Sequence, residues 1–448
     1  MYIQCDHHTP QLVHEMNTNT VEAKRDPRNT VCVGTTGRIA TFAVHVTEWK
    51  RAFLERSFPD RRFHFLPKKL SSLDLERTWK PRILQEARCE FFVWGAALPP
   101  ALAEIATKQN IPVCFVEDGF LRSARPSASR TPPLSLALDS RAPYFDCHRP
   151  SDLEVLLSTY DFEADAALTE RARAGVALLL ESGISKYNGG LQRTAEELYG
   201  RKTRKRVLVV GQVEDDASIR YGCTSPMTNN ELVRLAAAEQ PDAQILYKPH
   251  PDVLSRVRPA RSDPAEVAHL CEVVTESLPL AEALRTIDHV YTITSLAGFE
   301  ALMRGIEVTT AGSPFYAGWG LTDDRQPHSR RGRKLSLEAL FAGAYLLYPR
   351  YFDTVTGEQT SFEATVAAIK RQLEQPHLRH PSRPVWRPWG PYGVLGWRHL
   401  LSSILAPAIR RAGNDRDAED FRADPIRFFR SLSDRRLRLI GRLLYPFG

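Results

Sequence analysis

Apolar residues in this chain fall into short continuous runs separated by stretches in which apolar positions recur every three or four residues. Runs at 31–33, 63–66, 91–94 and 111–116 read as strands, with helical spacing at 46–58 and 101–108 between them. A second block repeats the pattern, with strands at 207–210, 244–247, 289–293 and 307–310 and helices at 229–238, 280–287 and 297–304. Strands alternating with helices mark βα units around a parallel sheet. Two such blocks predict an α/β protein in which two Rossmann-type domains face each other across a cleft. The expected order is a disordered segment at 1–29, a first domain at 30–200 with a helical insertion, a second domain at 201–375, and a tail at 376–448. The basic run at 201–206 is read as the linker between domains.

Composition supports two cores, because 448 residues with 43% hydrophobic content exceed the roughly 100–200 residues of one ordinary domain. No apolar run approaches the ~18 residues of a membrane span, and residues 1–29 lack the apolar middle of a signal peptide, so a cytoplasmic location is expected. The seven cysteines form no CxxC pair, which argues against a disulfide framework and a zinc site. Cys32 and Cys114 read as core residues. Net charge is +7, yet residues 383–448 alone carry thirteen arginines against six acids. The remainder is close to neutral, so nucleic-acid binding by the globular part is not indicated.

In open α/β sheets ligands bind beyond the carboxyl ends of the strands, and the residues there carry the chemistry. Glu117-Asp118-Gly119 follows the run at 111–116; its glycine suits a sharp turn, and its two carboxylates are placed to face the cleft. Taken alone, the tripeptide is equally a solvated turn or helix cap. Gln212 and the acids Glu214, Asp215 and Asp216 follow the strand at 207–210. Three adjacent carboxylates repel one another, so they are either solvated or supplied with donors, and a buried one suits nucleophilic attack on an anomeric carbon. Lys248-Pro249-His250-Pro251 follows the strand at 244–247. Its lysine offsets phosphate charge, its prolines restrict the backbone around the histidine, and the imidazole can bond a departing oxygen. Thr294-Ser295 opens a helix, where hydroxyls and free N–H groups suit an anion. The loop at 312–324, rich in glycine and aromatics, is either a sugar or base pocket or a packed structural loop.

Together these segments, with Glu48-Trp49-Lys50, Ser185-Lys186-Tyr187-Asn188 and Phe120-Leu121-Arg122-Ser123, resemble the KpsC family of retaining β-Kdo transferases over residues 31–373. The resemblance implies a GT-B-like fold and transfer of the sugar acid Kdo from CMP-Kdo to a lipid-linked capsule or surface glycan. It implies Glu117 as the base with Asp118 and Gly119 beside it. His250 and Ser295, helped by Lys248 and Thr294, would hold the CMP phosphate. Asp216, set by the Gln212-x-x-x-Asp216 spacing, would be the nucleophile that carries Kdo, with Asp215 as the alternative. Arg122, Lys186 and Ser218 would receive the Kdo carboxylate. No metal or cofactor is required if lysine, histidine and helix N–H groups stabilise the leaving CMP. Two features depart from the family: one module stands where full-length members carry two, implying either a single linkage type or work beside a second Kdo transferase, and residues 124–130 replace a Gly-Leu-Gly segment.

The tail lies outside the resemblance. Its aromatics and arginines read either as helices packed on the protein or as a basic amphipathic segment for the inner face of the inner membrane. Two other functions compete: a GT-B transferase using another CMP- or CDP-linked donor, and a non-catalytic export or assembly factor.

Overall fold

The structure, a computed structural model, describes residues 37–124, 131–185, 194–254, 261–276, 278–374, 401–412 and short stretches between 417 and 445. The expected disordered segment at 1–29 and the expected strand at 31–33 lie outside these residues. Two sheets organise the chain. The first is built from β1 (Ile39–Val44), β2 (Arg61–Phe65), β3 (Cys89–Trp94), β4 (Val113–Asp118) and β5 (Ser135–Asp139). The second takes β6 (Arg206–Val210), β7 (Gln244–Lys248), β8 (Glu272–Val273), β9 (His289–Thr292), β10 (Glu307–Thr310) and β11 (Asp323–Asp324). Then β12 (Arg350–Phe352) and β13 (Gln359–Thr360) follow.

The second sheet runs β11-β10-β9-β6-β7-β8, all parallel. Its central strand, Arg206-Val-Leu-Val-Val210, is buried at every position, as expected where helices cover both faces. The first sheet runs β13-β12-β5-β4-β3-β1-β2 and is parallel from β2 to β4. Beyond β4 it turns antiparallel, with β5 returning alongside β4 and β12 alongside β5. Strands β12 and β13 therefore leave the expected second domain, 201–375, and complete the first sheet, capping an edge that β5 would otherwise expose. The helix Phe362–Glu374 follows them, burying Phe362, Val366 and Ile369.

Two local expectations shift. The strand at 111–116 extends through Asp118, so Glu117 and Asp118 are its last residues rather than the turn beyond it. The linker ends at residue 205, because Arg206 is buried in β6 and its guanidinium donates to Gln244, Thr286 and the carbonyls of Tyr199 and Gly200.

One apolar cluster draws on both halves, joining Phe120, Leu134 and Leu157 to Leu208, Phe299, Phe315 and Tyr345. The loop at 312–324 belongs to it: Phe315, Tyr316 and Trp319 are buried, and Arg331 donates to the carbonyls of Pro314 and Ala317. Of its two readings the packed structural loop holds. In the tail, helices Leu401–Ala412, Pro425–Arg430 and Arg435–Leu444 surround a separate small core of Phe421, Phe428, Phe429 and Tyr445. No helix among the described residues is long and apolar enough to cross a membrane.

Candidate functional site

The end of the first sheet is a closed charge network. Asp118 terminates β4 and is buried, with Lys50 Nζ 3.2 Å from Oδ1 and Arg122 Nε 2.8 Å from Oδ2. Lys50 comes from the helix Glu48–Ser57, on the same stripe as Phe53 and Leu54, and lies 3.2 Å from the centre of the Trp94 ring. Burial pushes its pKa down to about 8, against the pull of Asp118 and Glu117. Arg122 is 1% exposed and also donates to Ser123 Oγ and the Thr131 carbonyl. Beside its expected part toward the Kdo carboxylate, its Nε, Nη1 and Nη2 each donate within the protein, holding Asp118 and the following turn. Glu117 is half-buried and accepts the Asp118 backbone N–H at 3.0 Å, which fixes its carboxylate beside the neutralised Asp118. Gly119 is demanded by packing, since a Cβ there would fall on the Ser135 hydroxyl, itself bonded to the Leu121 carbonyl.

At the second sheet, register brings three segments together. Val210 pairs with Lys248 on one side and Thr292 on the other, so the chains leaving β6, β7 and β9 emerge side by side. Gln212 locks this edge: its Nε2 donates to Thr294 Oγ1 at 3.0 Å and its Oε1 accepts Thr294 N–H at 2.8 Å. Gly211 N–H donates to the Lys248 carbonyl, and a Cβ on Gly211 would press on the Pro249 backbone. Ser295 caps the helix Leu296–Leu302 through its hydroxyl, and its carbonyl accepts the Tyr316 hydroxyl. His250 is half-buried, with its carbonyl accepting from Val253 and Leu254.

The three acids have separate fates. Glu214 is buried and accepts from Asn229 N–H, Arg261 N–H, Ser262 N–H and the Ser262 hydroxyl, which makes it a structural anchor. Asp215 is half-buried with a partner. Asp216 is exposed rather than buried, and caps the helix Ala217–Gly222. Ser218 N–H and Oγ both donate to its Oδ1, at 2.9 and 2.8 Å. Ser218, expected as a Kdo ligand, orients Asp216 in this structure, leaving Oδ2 without a protein donor among the described residues. Lys186 lies outside the described residues.

Lys248 differs from every other buried cation in this region. It is 9% exposed, burial pushes its pKa below the usual lysine range, and among the described residues its ammonium has no hydrogen bond or ion pair. A desolvated cation without a partner is a standing cost that an incoming anion removes. His250 and Ser295 leave the same edge of the sheet.

Aromatic contacts join the two sheet ends. Phe120, one residue beyond Gly119, packs on Phe315 with ring centres 4.6 Å apart, and Phe315 packs on Phe299 of the Ser295-capped helix at 5.3 Å. Glu154 reinforces the junction, accepting from Arg330 at 2.6 Å and Arg331 at 3.0 Å. A separate shallow cavity of about 350 Å3, lined by Leu134, Thr354, Thr365 and Arg371 among others, contains none of the candidate residues. No group of three or more metal-ligating side chains is gathered among the described residues. The sequence offered Lys50 only within the family resemblance and Trp94 only as a strand residue, neither with a role, although a lysine on the apolar stripe of an amphipathic helix is a legible signal of a buried ion pair.

Two Rossmann-type sheets with charged groups at their carboxyl ends define a GT-B-like protein. The model of the capsule polysaccharide biosynthesis protein family matches residues 93–189 and 184–351. The lipopolysaccharide-processing protein LpsZ of Rhizobium meliloti is 45% identical over 331 residues, 74% of each chain. The capsule polysaccharide modification protein LipA of Neisseria meningitidis is 37% identical over 74% of this chain, which spans only 45% of LipA. This chain belongs to the capsule polysaccharide biosynthesis protein family. Among solved structures, the β-Kdo 2,4 transferase of Thermosulfurimonas dismutans KpsC superposes with a TM-score of 0.61 at 31% identity, covering 74% of this chain and 98% of that one. Its β-Kdo 2,7 transferase does so at 0.59 and 33%, covering 75% and 100%.

Proposed function

We propose that this chain is a retaining glycosyltransferase that moves Kdo from CMP-Kdo to a lipid-linked oligosaccharide in capsular or surface polysaccharide biosynthesis. The observation that carries the donor is Lys248, a buried ammonium with no partner among the described residues, at the strand edge shared with His250 and Ser295. The similarity to the two KpsC transferases supports Kdo as the sugar.

The reaction proceeds in two displacements. Asp216 Oδ2, its companion oxygen held by Ser218, attacks the anomeric carbon of Kdo. The bond from that carbon to the CMP phosphate breaks, and CMP leaves with the electron pair, its charge met by Lys248 and by donors from His250 and Ser295. Glu117 then takes the proton of the acceptor hydroxyl, whose oxygen attacks the same carbon and expels the Asp216 carboxylate. Two inversions return the β configuration. Arg122 and Lys50 hold Asp118, which backs Glu117.

The test is intact-mass analysis after incubation with CMP-Kdo and no acceptor, alongside rival CMP- and CDP-linked donors. The expected result is one added Kdo residue on the wild type and on Asp215→Ala, absent in Asp216→Ala, which also loses transfer. Full transfer by Asp216→Ala would remove the two-step mechanism. Turnover of a rival donor in place of CMP-Kdo would remove the donor assignment.

A further inference from the structure

The last helix of the tail has an apolar side that the protein leaves in water. In Arg435–Leu444 the inward direction is marked by Gly441, where a Cβ would strike the Phe429 ring, and by Leu444, which packs on the small core. Tyr445, next in the chain, lies 6.1 Å from Phe429 and 6.3 Å from Phe421 between ring centres. At about 100° per residue, Leu439 and Leu443 fall on the opposite side, with Ile440 beside them. These three are 59%, 71% and 45% exposed, respectively. The helix thus has one side that meets the small core and an outer one that sets Leu439, Ile440 and Leu443 around the exposed Arg436, leaving aliphatic surface in water.

Charge indicates what covers the outer side. The ten residues include Arg435, Arg436, Arg438 and Arg442 and no acid, and Arg436 and Arg438 are exposed. A second copy of this chain would set these arginines against their own kind across a two-fold axis, which opposes self-association. An anionic bilayer surface satisfies both features, accepting the leucines at the acyl boundary and the guanidinium groups among phosphates. We infer that Arg435–Leu444 docks this protein onto anionic membrane, with Leu439, Ile440 and Leu443 entering the interface. Each basic residue near such a surface strengthens binding roughly fivefold, so the interaction weakens steeply as salt rises. The inference does not depend on the donor or on the two-step mechanism. It does place the chain where a lipid-linked acceptor would be met.

The experiment is flotation of the full chain with phosphatidylcholine vesicles, with and without phosphatidylglycerol. CMP binding and the thermal unfolding midpoint are read in the absence of lipid. The wild type is expected to float with anionic vesicles and at least tenfold less with neutral ones. Replacing Leu439, Ile440 and Leu443 together by Gln should cut anionic binding at least tenfold, with CMP binding and unfolding midpoint unchanged. No flotation of the wild type, or equal flotation of the triple variant, overturns the inference. So does a wild-type dimer in sedimentation that the triple variant converts to monomer, because the face would then be an interface between copies. Loss of CMP binding in the wild type would strike the donor reading and leave the docking result standing.

Discussion

At the end of β4 the Asp118 carboxylate has a cation on each oxygen, whereas at the end of β7 the Lys248 ammonium is buried with none among the described residues. Both groups are about nine-tenths covered, so the difference lies in compensation rather than depth. Burying an unpaired charge costs several kcal/mol, of order, and a fold tolerates that where a ligand supplies the missing partner. The first end is therefore complete before substrate arrives, with the Glu117 carboxylate fixed beside Asp118 by the Asp118 backbone N–H. The second is incomplete, with the sign that attracts a phosphate. Such an asymmetry suits a transferase, which must keep a base ready on one side and take up an anionic donor on the other.

Substitutions that act on one end alone sharpen this contrast. The largest effect is expected from Glu117→Gln, which keeps shape and hydrogen bonding while removing the proton acceptor. Transfer should fall by roughly 10²–10⁴, and affinity for CMP should stay within about twofold of wild type, since the proposed function places CMP at the other end. Steady-state transfer and calorimetric CMP binding on the same preparation measure both. Weakened CMP binding would show that the two ends are not separate.

A smaller effect is expected from Lys50. Its pKa of about 8 lies below the ordinary lysine value, so the ammonium is charged below that pH and neutral above it. Its support for Asp118 and Glu117 is present on the acid side and lost as pH rises through 8. The transfer rate should show a basic limb centred near pH 8. Lys50→Met should flatten that limb and lower the plateau by about tenfold, the equivalent of ~1.4 kcal/mol. A pH–rate profile with the limb intact in Lys50→Met would assign it to another group.

Much of the parallel architecture was legible because β6 and β7 carry apolar runs and β9 and β10 carry Val, Thr and Tyr, strand-favouring residues, with helical spacing between the strands. Strand β1, Ile-Ala-Thr-Phe-Ala-Val, was passed over, its small residues giving a weak signal although five of its six positions are buried. The return of β12 and β13 to the first sheet could not be read locally, because those strands have only three and two residues and are held by pairing with β5 and each other. At the site, residue types and spacing located the strand ends, but commitment of individual groups is a tertiary property. Nothing in the run Glu214-Asp215-Asp216 tells that the first is enclosed by donors from residues 229, 261 and 262, while the last stands in water. Arg122 is similar: a conspicuous cation in sequence, spent on Asp118 four residues earlier.

The most direct test of the contrast between the two ends is the affinity of CMP for wild type, Lys248→Met and Glu117→Gln, measured by titration calorimetry at constant ionic strength. Loss of a charge-assisted phosphate contact worth about 2–3 kcal/mol predicts at least thirtyfold weaker binding for Lys248→Met, with Glu117→Gln unchanged. Equal affinity of Lys248→Met and wild type for CMP would contradict it, since the buried ammonium would then have no anion to meet.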